Sequence, residues 1–371
     1  MLAPGYRRNP GVSPSWRYRG EVTRLPPLDP AVAATRLAVR RALRGRHERT
    51  ALVALSGGAD SLALAAAVAF EAPRLGLAAG AVIVDHRLQA GSGDVAKAAA
   101  AQASDLGMDP VLVRRVAVDA GAGGPEAGAR TARYAALATA AAQAGEGAPA
   151  LILIAHTRDD QAEQVLLALA RGSGTRSIAG IPAEGERDGA PIIRPFLDES
   201  AGVTRGTTEA ACAAQGLVPW NDPHNRDPAF TRVRVRQQIL PLMERELGPG
   251  VRGALARSAD LAREDADALD AIAAAVVRRL LAEQTEGAER TGSAVRVPAS
   301  VLAEQPDALR NRTIRGVAGA FGARIGRDHT RAIAALVIDW RGQKPVFVPG
   351  VRVTRVGGEL LFERQVGSPR A

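Results

Sequence analysis

Ser56-Gly57-Gly58-Ala59-Asp60-Ser61 follows the short apolar run Ala51–Leu55 and precedes the Ala-rich, helix-forming stretch Ser61–Ala72. Adjacent glycines let a backbone turn tightly, so that successive N–H groups point into one concavity. The start of the next helix adds partial positive charge. The hydroxyls of Ser56 and Ser61 supply further donors. Ser56, Gly57, Gly58, Ala59, Asp60 and Ser61 therefore form an anion cradle of phosphate size. Asp60 repels a phosphate unless a cation lies between them, which makes it a candidate Mg²⁺ ligand. A Walker A loop needs a lysine after its second glycine, and no lysine is near.

The surroundings repeat this strand-to-helix pattern. A helix over Ala31–Arg46 leads in. Apolar runs at Ala51–Leu55, Ala81–Asp85, Val111–Val118 and Leu151–Ala155 alternate with helical stretches at Ser61–Ala72, Asp94–Leu106, Glu126–Ala144 and Asp160–Arg171. Such alternation predicts an α/β fold, a doubly wound parallel sheet with ligands at the carboxyl ends of its strands. After Gly180 the texture changes. Pro182–Pro191 reads as a polar loop, Ile192–Leu197 as extended, Thr204–Gly216 as a helix and Trp220–Asp227 as a loop. Thr231–Leu247 and Gly250–Glu283 read as long helices. The remainder reads as a smaller α+β unit, with helices at Asp307–Phe321 and Asp328–Asp339 and strands at Val295–Val297, Val346–Val348, Val351–Val356 and Glu359–Glu363. The expected organisation is a basic, Pro-rich tail over 1–29, an α/β domain over 30–222, a helical linker over 223–290 and a small α+β C-terminal domain over 291–371.

Composition narrows the function. The chain has 371 residues, 46% of them hydrophobic, enough for more than one core. Cys212 is the only cysteine, so no intramolecular disulfide, Cys-rich zinc site or CxxC redox pair is possible. His47, His86, His156, His224 and His329 are scattered without an HExxH pair, which argues against a zinc enzyme. Net charge is +9, and Lys97 and Lys344 are the only lysines, so the excess is arginine. Guanidinium forks suit a phosphate-rich partner, although an Arg-rich, Lys-poor chain also follows from GC-rich coding. No apolar run is long enough to span a membrane and the N-terminus lacks a signal-peptide core, so a cytoplasmic protein is expected.

The other strand ends carry more polar residues. The second run ends in Val84-Asp85-His86-Arg87-Leu88-Gln89, and the fourth continues into Ile154-Ala155-His156-Thr157-Arg158-Asp159-Asp160-Gln161-Ala162-Glu163. Between them stands Pro125-Glu126-Ala127-Gly128-Ala129-Arg130-Thr131-Ala132-Arg133-Tyr134. Downstream lie Arg171-Gly172-Ser173-Gly174, Arg194-Pro195-Phe196-Leu197, and Asp222-Pro223-His224-Asn225 followed by Arg232, Arg234 and Arg236. Singly, each has a plain structural explanation as helix-start acids, a salt-bridged face or a solvated stripe. Their order and placement at strand ends favour a site.

The hexapeptide at 56–61 resembles the SGGxDS loop of the PP-loop, or N-type, ATP pyrophosphatases. The ordered set over about 30–250 resembles the lysidine-forming, tRNA(Ile)-directed members of that family. Arg87 and Gln89 depart from their VDHGLR segment, and Thr157 and Gln164 from their AHHxDDQAET segment. The resemblance implies ATP and Mg²⁺ as cofactors, and L-lysine and a CAU-anticodon tRNA(Ile) as substrates. It implies a ligase reaction in which O2 of the wobble cytidine is adenylated with release of pyrophosphate. Lysine then attacks C2 and expels AMP.

On the same resemblance Asp60 and Asp160 are the expected catalytic residues and metal ligands. Ser56 to Ser61, His86 and His156 are the expected ATP contacts. Glu126, Arg130, Arg133, Asp159, Glu163, Arg171, Arg194, Arg232, Arg234 and Arg236 are the expected substrate contacts. A tRNA thiolase of the same fold would need sulfur-carrying cysteines, which Cys212 alone does not supply. An amidating ligase for small molecules fits the charge and the 159–163 segment less well. An RNA-binding protein with a dead ATP loop would not need Ser56, Asp60, Ser61 and Asp160 intact. The sequence leaves the oligomeric state open, a homodimer included.

Overall fold

The computed structural model describes residues 27–87, 91–117, 124–145, 147–172, 174–283 and 294–365, with backbone only at 124–126. Most of the expected tail, together with Leu88, Gln89, Val118 and Ser173, lies outside the described residues.

The catalytic half opens with helix α1 (Pro30–Leu43), whose first turn is capped by the Asp29 carboxylate. It continues through β1 (Thr50–Ala54), α2 (Ala59–Glu71), β2 (Ala78–Asp85), α3 (Ser92–Asp105), β3 (Val111–Arg115), α4 (Gly124–Ala144), β4 (Leu151–Leu153), α5 (Arg158–Ala170) and the single turn α6 (Thr175–Ile178). Strands β5 (Glu184–Arg187) and β6 (Ala190–Ile193) follow, then α7 (Arg205–Ala214). The sheet order is β3-β2-β1-β4-β6-β5, parallel except for the antiparallel edge strand β5. The chain winds outward from β1 in both directions, so the topological switch lies between β1 and β4.

Strand β1 shows why both faces are covered. Ala51, Val53 and Leu55 pack into a core with α1, α2, α3 and α7, whereas Leu52 and Ala54 join Leu137, Ala140 and Ala141 of α4. Alternate side chains of a strand point to opposite faces, and here both are apolar.

The polar loop expected at 182–191 is instead a hairpin. Its turn is Asp188-Gly189, both at positive φ (52° and 79°), the geometry that a two-residue hairpin turn requires. All four residues of β5 are exposed, so no hydrophobic alternation marks it. Two other sequence-based boundaries shift: β3 stops at Arg115, and Ile192–Leu197 is extended only to Ile193 before a 3₁₀ turn over Pro195–Leu197.

The expected helix over 231–247 is α8 (Thr231–Arg234), a π-helical turn (Val235–Ile239) and α9 (Leu240–Leu247). Pro241 lacks an N–H and cannot close the regular ladder, which accounts for the wide turn before it. Helix α10 (Val251–Ala282) then packs on α5 at one end. At the other it meets the C-terminal unit of β7 (Ala294–Pro298), α11 (Ala299–Ala303), α12 (Asp307–Ala320), α13 (Arg327–Ile338), β8 (Val346–Val348), β9 (Val351–Val356) and β10 (Glu359–Arg364). This antiparallel sheet runs β7-β10-β9-β8. Val277 and Leu280 of α10 enter its core with Ile314, Val317, Ile333, Val353 and Phe362. A Cβ on Gly316 would stand 2.8 Å from Val277 Cγ2, so the α10–α12 crossing needs glycine there.

Candidate active site

The turn after β1 is built from its own side chains. The Ser56 N–H donates to Ser61 Oγ at 3.1 Å, and the Ser61 hydroxyl donates to the Gly58 carbonyl at 3.0 Å. Gly57 has φ +85°, while a Cβ there would meet nothing closer than 3.5 Å. Backbone conformation, not space, therefore requires this glycine. The Trp220 N–H donates to the Gly57 carbonyl at 2.9 Å, tying a distant strap to the loop.

Beside the loop, over the ends of β1 and β2, lies a cavity of about 310 Å³ lined by Ser56, His86, Arg87, Arg133, Leu137 and Trp220 among others. Two polar side chains there bear on the choice of ligand. His86 Nδ1 is buried without a hydrogen bond, and burial together with Arg133 lowers the histidine pKa, keeping it neutral at pH 7. Arg133 has no ion pair among the described residues, and burial lowers its pKa too. Buried polar groups are almost always satisfied, so the orphaned His86 Nδ1, with the Arg133 charge in the same cavity, indicates a polar ligand. At its mouth Arg87 has φ 54°, with its N–H donating to Asp85 Oδ1 at 3.0 Å.

One turn earlier on α4, Arg130 lines a second cavity of about 330 Å³ with Tyr134, His156, Arg187, Arg194 and Arg232. Arg194 Nε donates to His156 Nδ1 at 3.0 Å, and Arg194 Nη1 to the Pro182 carbonyl at 2.8 Å. A guanidinium can only donate, so His156 must carry its proton on Nε2. Burial pushes the His156 pKa down to about 3, which makes it a neutral donor at physiological pH.

Behind Arg232, which lines the second cavity, sits an acidic cluster held by arginines. Asp160, in the first turn of α5, accepts on Oδ2 from the Thr157 N–H at 2.9 Å and the Thr157 hydroxyl at 3.2 Å, and on Oδ1 from Arg205 and Arg232, both at 3.2 Å. Glu163, fully buried, accepts from Arg232 Nε and Arg236 Nε, both at 2.7 Å, and from Arg205 Nη1 at 3.4 Å. Asp159 accepts from Arg252 Nη1 at 3.0 Å and the Arg205 N–H at 2.8 Å. Burial alone would raise Asp160 and Glu163; the arginines reverse it and hold both carboxyls below their usual range.

Asp60 stands apart. Thr208 donates to its Oδ1, and among the described residues its Oδ2 has only Arg205 Nε, at 3.8 Å. Burial prevails over these partners, and its pKa is pushed up to about 6. Among the described residues no three acidic, histidine or cysteine side chains are grouped to hold a metal. A Mg²⁺ ion often needs only one or two carboxylates when phosphates complete its shell. The open Oδ2 of Asp60 fits that mode, whereas both oxygens of Asp160 already accept from donors.

The expected residues therefore divide. Ser56, His86 and Arg133 line the first cavity, with Gly57 to Ser61 continuing the turn beside it, and Arg130, His156, Arg194 and Arg232 line the second. Asp159, Asp160, Glu163, Arg232 and Arg236 form the paired cluster. Arg234 turns away, bonding the Pro228 and Ala229 carbonyls and Thr231 Oγ1, and Arg171 is exposed at the end of α5. The Glu126 side chain lies outside the described residues. Sequence reasoning missed Arg205, Thr208, Arg252 and Trp220. Only the Trp220 loop carried a turn signal, and nothing local marks the other three.

Residues 32–243 match the PP-loop domain family. The chain is 54% identical over 312 residues to a tRNA(Ile)-lysidine synthase of Leifsonia xyli subsp. xyli, covering 84% of this chain and 89% of that one. It is 51% identical over 328 residues to the tRNA(Ile)-lysidine synthase of Thermobifida fusca, covering 87% and 94%. With the tRNA(Ile)-lysidine synthase of Streptomyces coelicolor the identity is 46% over 366 residues, covering 91% and 99%.

Proposed function

That the chain belongs to the tRNA(Ile)-lysidine synthases, with their PP-loop ATP-binding domain, is the premise from which we propose how its site works. The reaction is ATP-dependent formation of lysidine on tRNA(Ile). We assign ATP to the first cavity, with its phosphates on the 56–61 loop, and the wobble cytidine and L-lysine to the second. The observation that carries this is the orphaned Nδ1 of His86, with Arg133 lining the same cavity, which opens on a glycine turn and a helix start.

Cytidine O2 attacks the α-phosphorus, the bond to the β,γ-pyrophosphate breaks, and charge develops on the leaving group. The N–H groups of the turn and of the first residues of α2 are fixed in advance to meet that charge. A magnesium ion held at Asp60 would neutralise part of the triphosphate charge. His156 presents its Nε2–H as a neutral donor at the second cavity, where Arg130 and Arg194 add positive charge. The ε-amine of lysine then attacks C2 and AMP departs. That amine is a nucleophile only when uncharged, and Asp60 is the carboxylate with an oxygen free to steer it or take its proton. Asp160 and Glu163 order Arg205, Arg232 and Arg236 instead of touching substrate.

Most tRNA affinity comes from arginines contacting the backbone, for which α10 and the C-terminal unit extend away from the site. No helix of the described residues is long and apolar enough to cross a membrane, and a tRNA substrate puts the reaction in the cytoplasm.

The test is incubation with ATP, Mg²⁺, labelled lysine and a CAU-anticodon tRNA(Ile) transcript, with a methionine tRNA of the same anticodon as control. Label on the isoleucine tRNA alone, with stoichiometric AMP, is expected. AMP release without tRNA labelling would move the acceptor to a small molecule. No AMP under any condition would overturn the reading.

A further inference from the structure

Asp60 and Asp160 come from different strand-to-helix units, and none of the hydrogen bonds that hold either carboxylate comes from the other's helix. Helix α7, which sequence reasoning left without a role, reaches both. At its first residue the Arg205 N–H bonds Asp159 Oδ2 at 2.8 Å, and the Arg205 guanidinium lies 3.2 Å from Asp160 Oδ1, 3.4 Å from Glu163 Oε1 and 3.8 Å from Asp60 Oδ2. One turn on, the buried Thr208 hydroxyl donates to Asp60 Oδ1. One turn further, Cys212 Sγ lies 3.3 Å from the Ala59 carbonyl, at the start of α2. Residues at this spacing share one helical face. That face is therefore clamped to the phosphate-loop helix at two adjacent residues and to the acidic turn of α5 through Arg205.

We infer that α7 is the positioning element that sets Asp60 against Asp160, and that Thr208 is the residue through which it fixes Asp60. The inference rests on Asp60 working at the reacting centre. Thr208 Oγ1 has two acceptors in reach, Asp60 Oδ1 and, at 2.8 Å, the Arg205 carbonyl of its own helix, but only one proton. The charged carboxylate is the stronger acceptor and takes it. With Oδ1 held by Thr208, Oδ2 is the oxygen turned toward Arg205 and left for a substrate ammonium or a magnesium ion. Without the hydroxyl, a carboxylate on a single Cβ–Cγ bond is free to rotate, and Arg205 can draw either oxygen toward the α5 cluster. Thr208 touches no substrate in this scheme; it acts through Asp60.

The test compares Thr208→Val, Thr208→Ala and Thr208→Ser in the full chain, with Asp60→Asn beside them. Each is assayed for lysidine formation, for KM of ATP and tRNA, and for thermal midpoint. Val keeps the volume and loses the donor, Ala covers the case in which Val does not fold, and Ser keeps the donor. The expected result is a kcat lower by about tenfold or more in Val and Ala, the size of one charge-assisted hydrogen bond. KM for tRNA should stay within about twofold of the parent, a shift of well under 1 kcal/mol. Serine should recover most of the rate, with midpoints within about 3 °C of the parent. Unchanged kcat in Val or Ala beside an inactive Asp60→Asn overturns the inference and leaves the site reading intact. Equal losses in Ser and Val also overturn it, because then the methyl packing and not the hydroxyl matters. An active Asp60→Asn would overturn the site reading itself.

Discussion

The ends of β1 and β4 present the same arrangement with opposite electrostatics. Each strand runs into a helix with an aspartate in its first turn, Asp60 on α2 and Asp160 on α5. The helix start favours the ionised form of both. Yet burial pushes Asp60 up to about 6, while Arg232 and Arg205 reverse the effect of burial at Asp160 and bring it below the usual range. The difference lies in partners that arrive late in the chain: Arg205 and Arg232 are 45 and 72 residues beyond Asp160. On the function proposed above, Asp160, saturated with donors, orders the arginines, and Asp60, with a free oxygen, works at the reacting centre. Asp160 also feeds back on its counterpart, since its negative charge is one of the influences that raise Asp60.

Asp60→Asn should break the site most completely. Lysidine formation is expected to fall by at least about a hundredfold, the scale seen when one preorganised electrostatic group is removed. Stability should move the other way. The folded state holds a proton on Asp60 more tightly than the unfolded chain does, between the ordinary value of 3.8 and about 6. Stability linked to this group is therefore present below pH 3.8 and lost as the pH rises through about 6. In EDTA at pH 7.5 the Asn variant should be more stable by about 1–3 kcal/mol in urea unfolding, with the gain vanishing below about pH 4. A destabilised Asn variant at pH 7.5 would mean that Asp60 is a paired residue like Asp160, and the contrast would be gone.

Glu163→Gln tests the other side of the comparison. It removes a fully buried charge from Arg205, Arg232 and Arg236, and should cost about 3–5 kcal/mol because the guanidiniums are left uncompensated. Here the pH sign reverses. The folded pKa of Glu163 is depressed below 4.5, so its contribution is present above that value and lost as the pH falls. Urea unfolding of parent and variant should therefore converge in acid and diverge at neutral pH. A neutral substitution would show that water, not Glu163, satisfies the arginines.

These contrasts explain what the sequence made legible. The parallel sheet was readable because Ala51–Leu55 and Leu151–Ala155 are continuous apolar runs ending in glycine or polar clusters. The cradle was readable because its parts are contiguous. Strand β5 was not, since an exposed edge strand carries no alternation, though Asp188-Gly189 was a hairpin signal in plain view. Arg232 and Arg236 are expected as substrate contacts; both guanidiniums bond Glu163, and Arg232 also lines the second cavity. An arginine at helical spacing looks the same whether it faces a phosphate or a buried carboxylate. Arg205 and Thr208 had no local mark at all, because their partners lie up to 148 residues away.

The two cavities should also separate kinetically. Arg133→Ala should raise KM for ATP about tenfold, roughly 1.4 kcal/mol, with KM for tRNA and lysine little changed. Arg130→Ala, one turn earlier on α4, should do the reverse. Equal effects of either variant on all three KM values would merge the cavities into one site and undo the assignment of ATP to one and acceptor to the other.

The smallest effect concerns Arg87, which departs from the glycine of the motif it resembles. Its φ of 54° is a left-handed conformation, held by its N–H on Asp85 Oδ1, and the residue lines the first cavity. Arg87→Gly relieves about 1 kcal/mol of backbone strain but adds a comparable entropy to the unfolded chain, so stability should change by less than about 0.5 kcal/mol. Arg87→Val should lose about 1–2 kcal/mol, since a β-branched side chain resists positive φ. Both variants remove the same exposed charge, so both should raise KM for ATP by about two- to fivefold if the guanidinium meets the nucleotide. A rise in Val alone would assign the residue a purely conformational part. A matched rise in both would show that this chain exchanged an unstrained turn for a cation at the mouth of its nucleotide cavity.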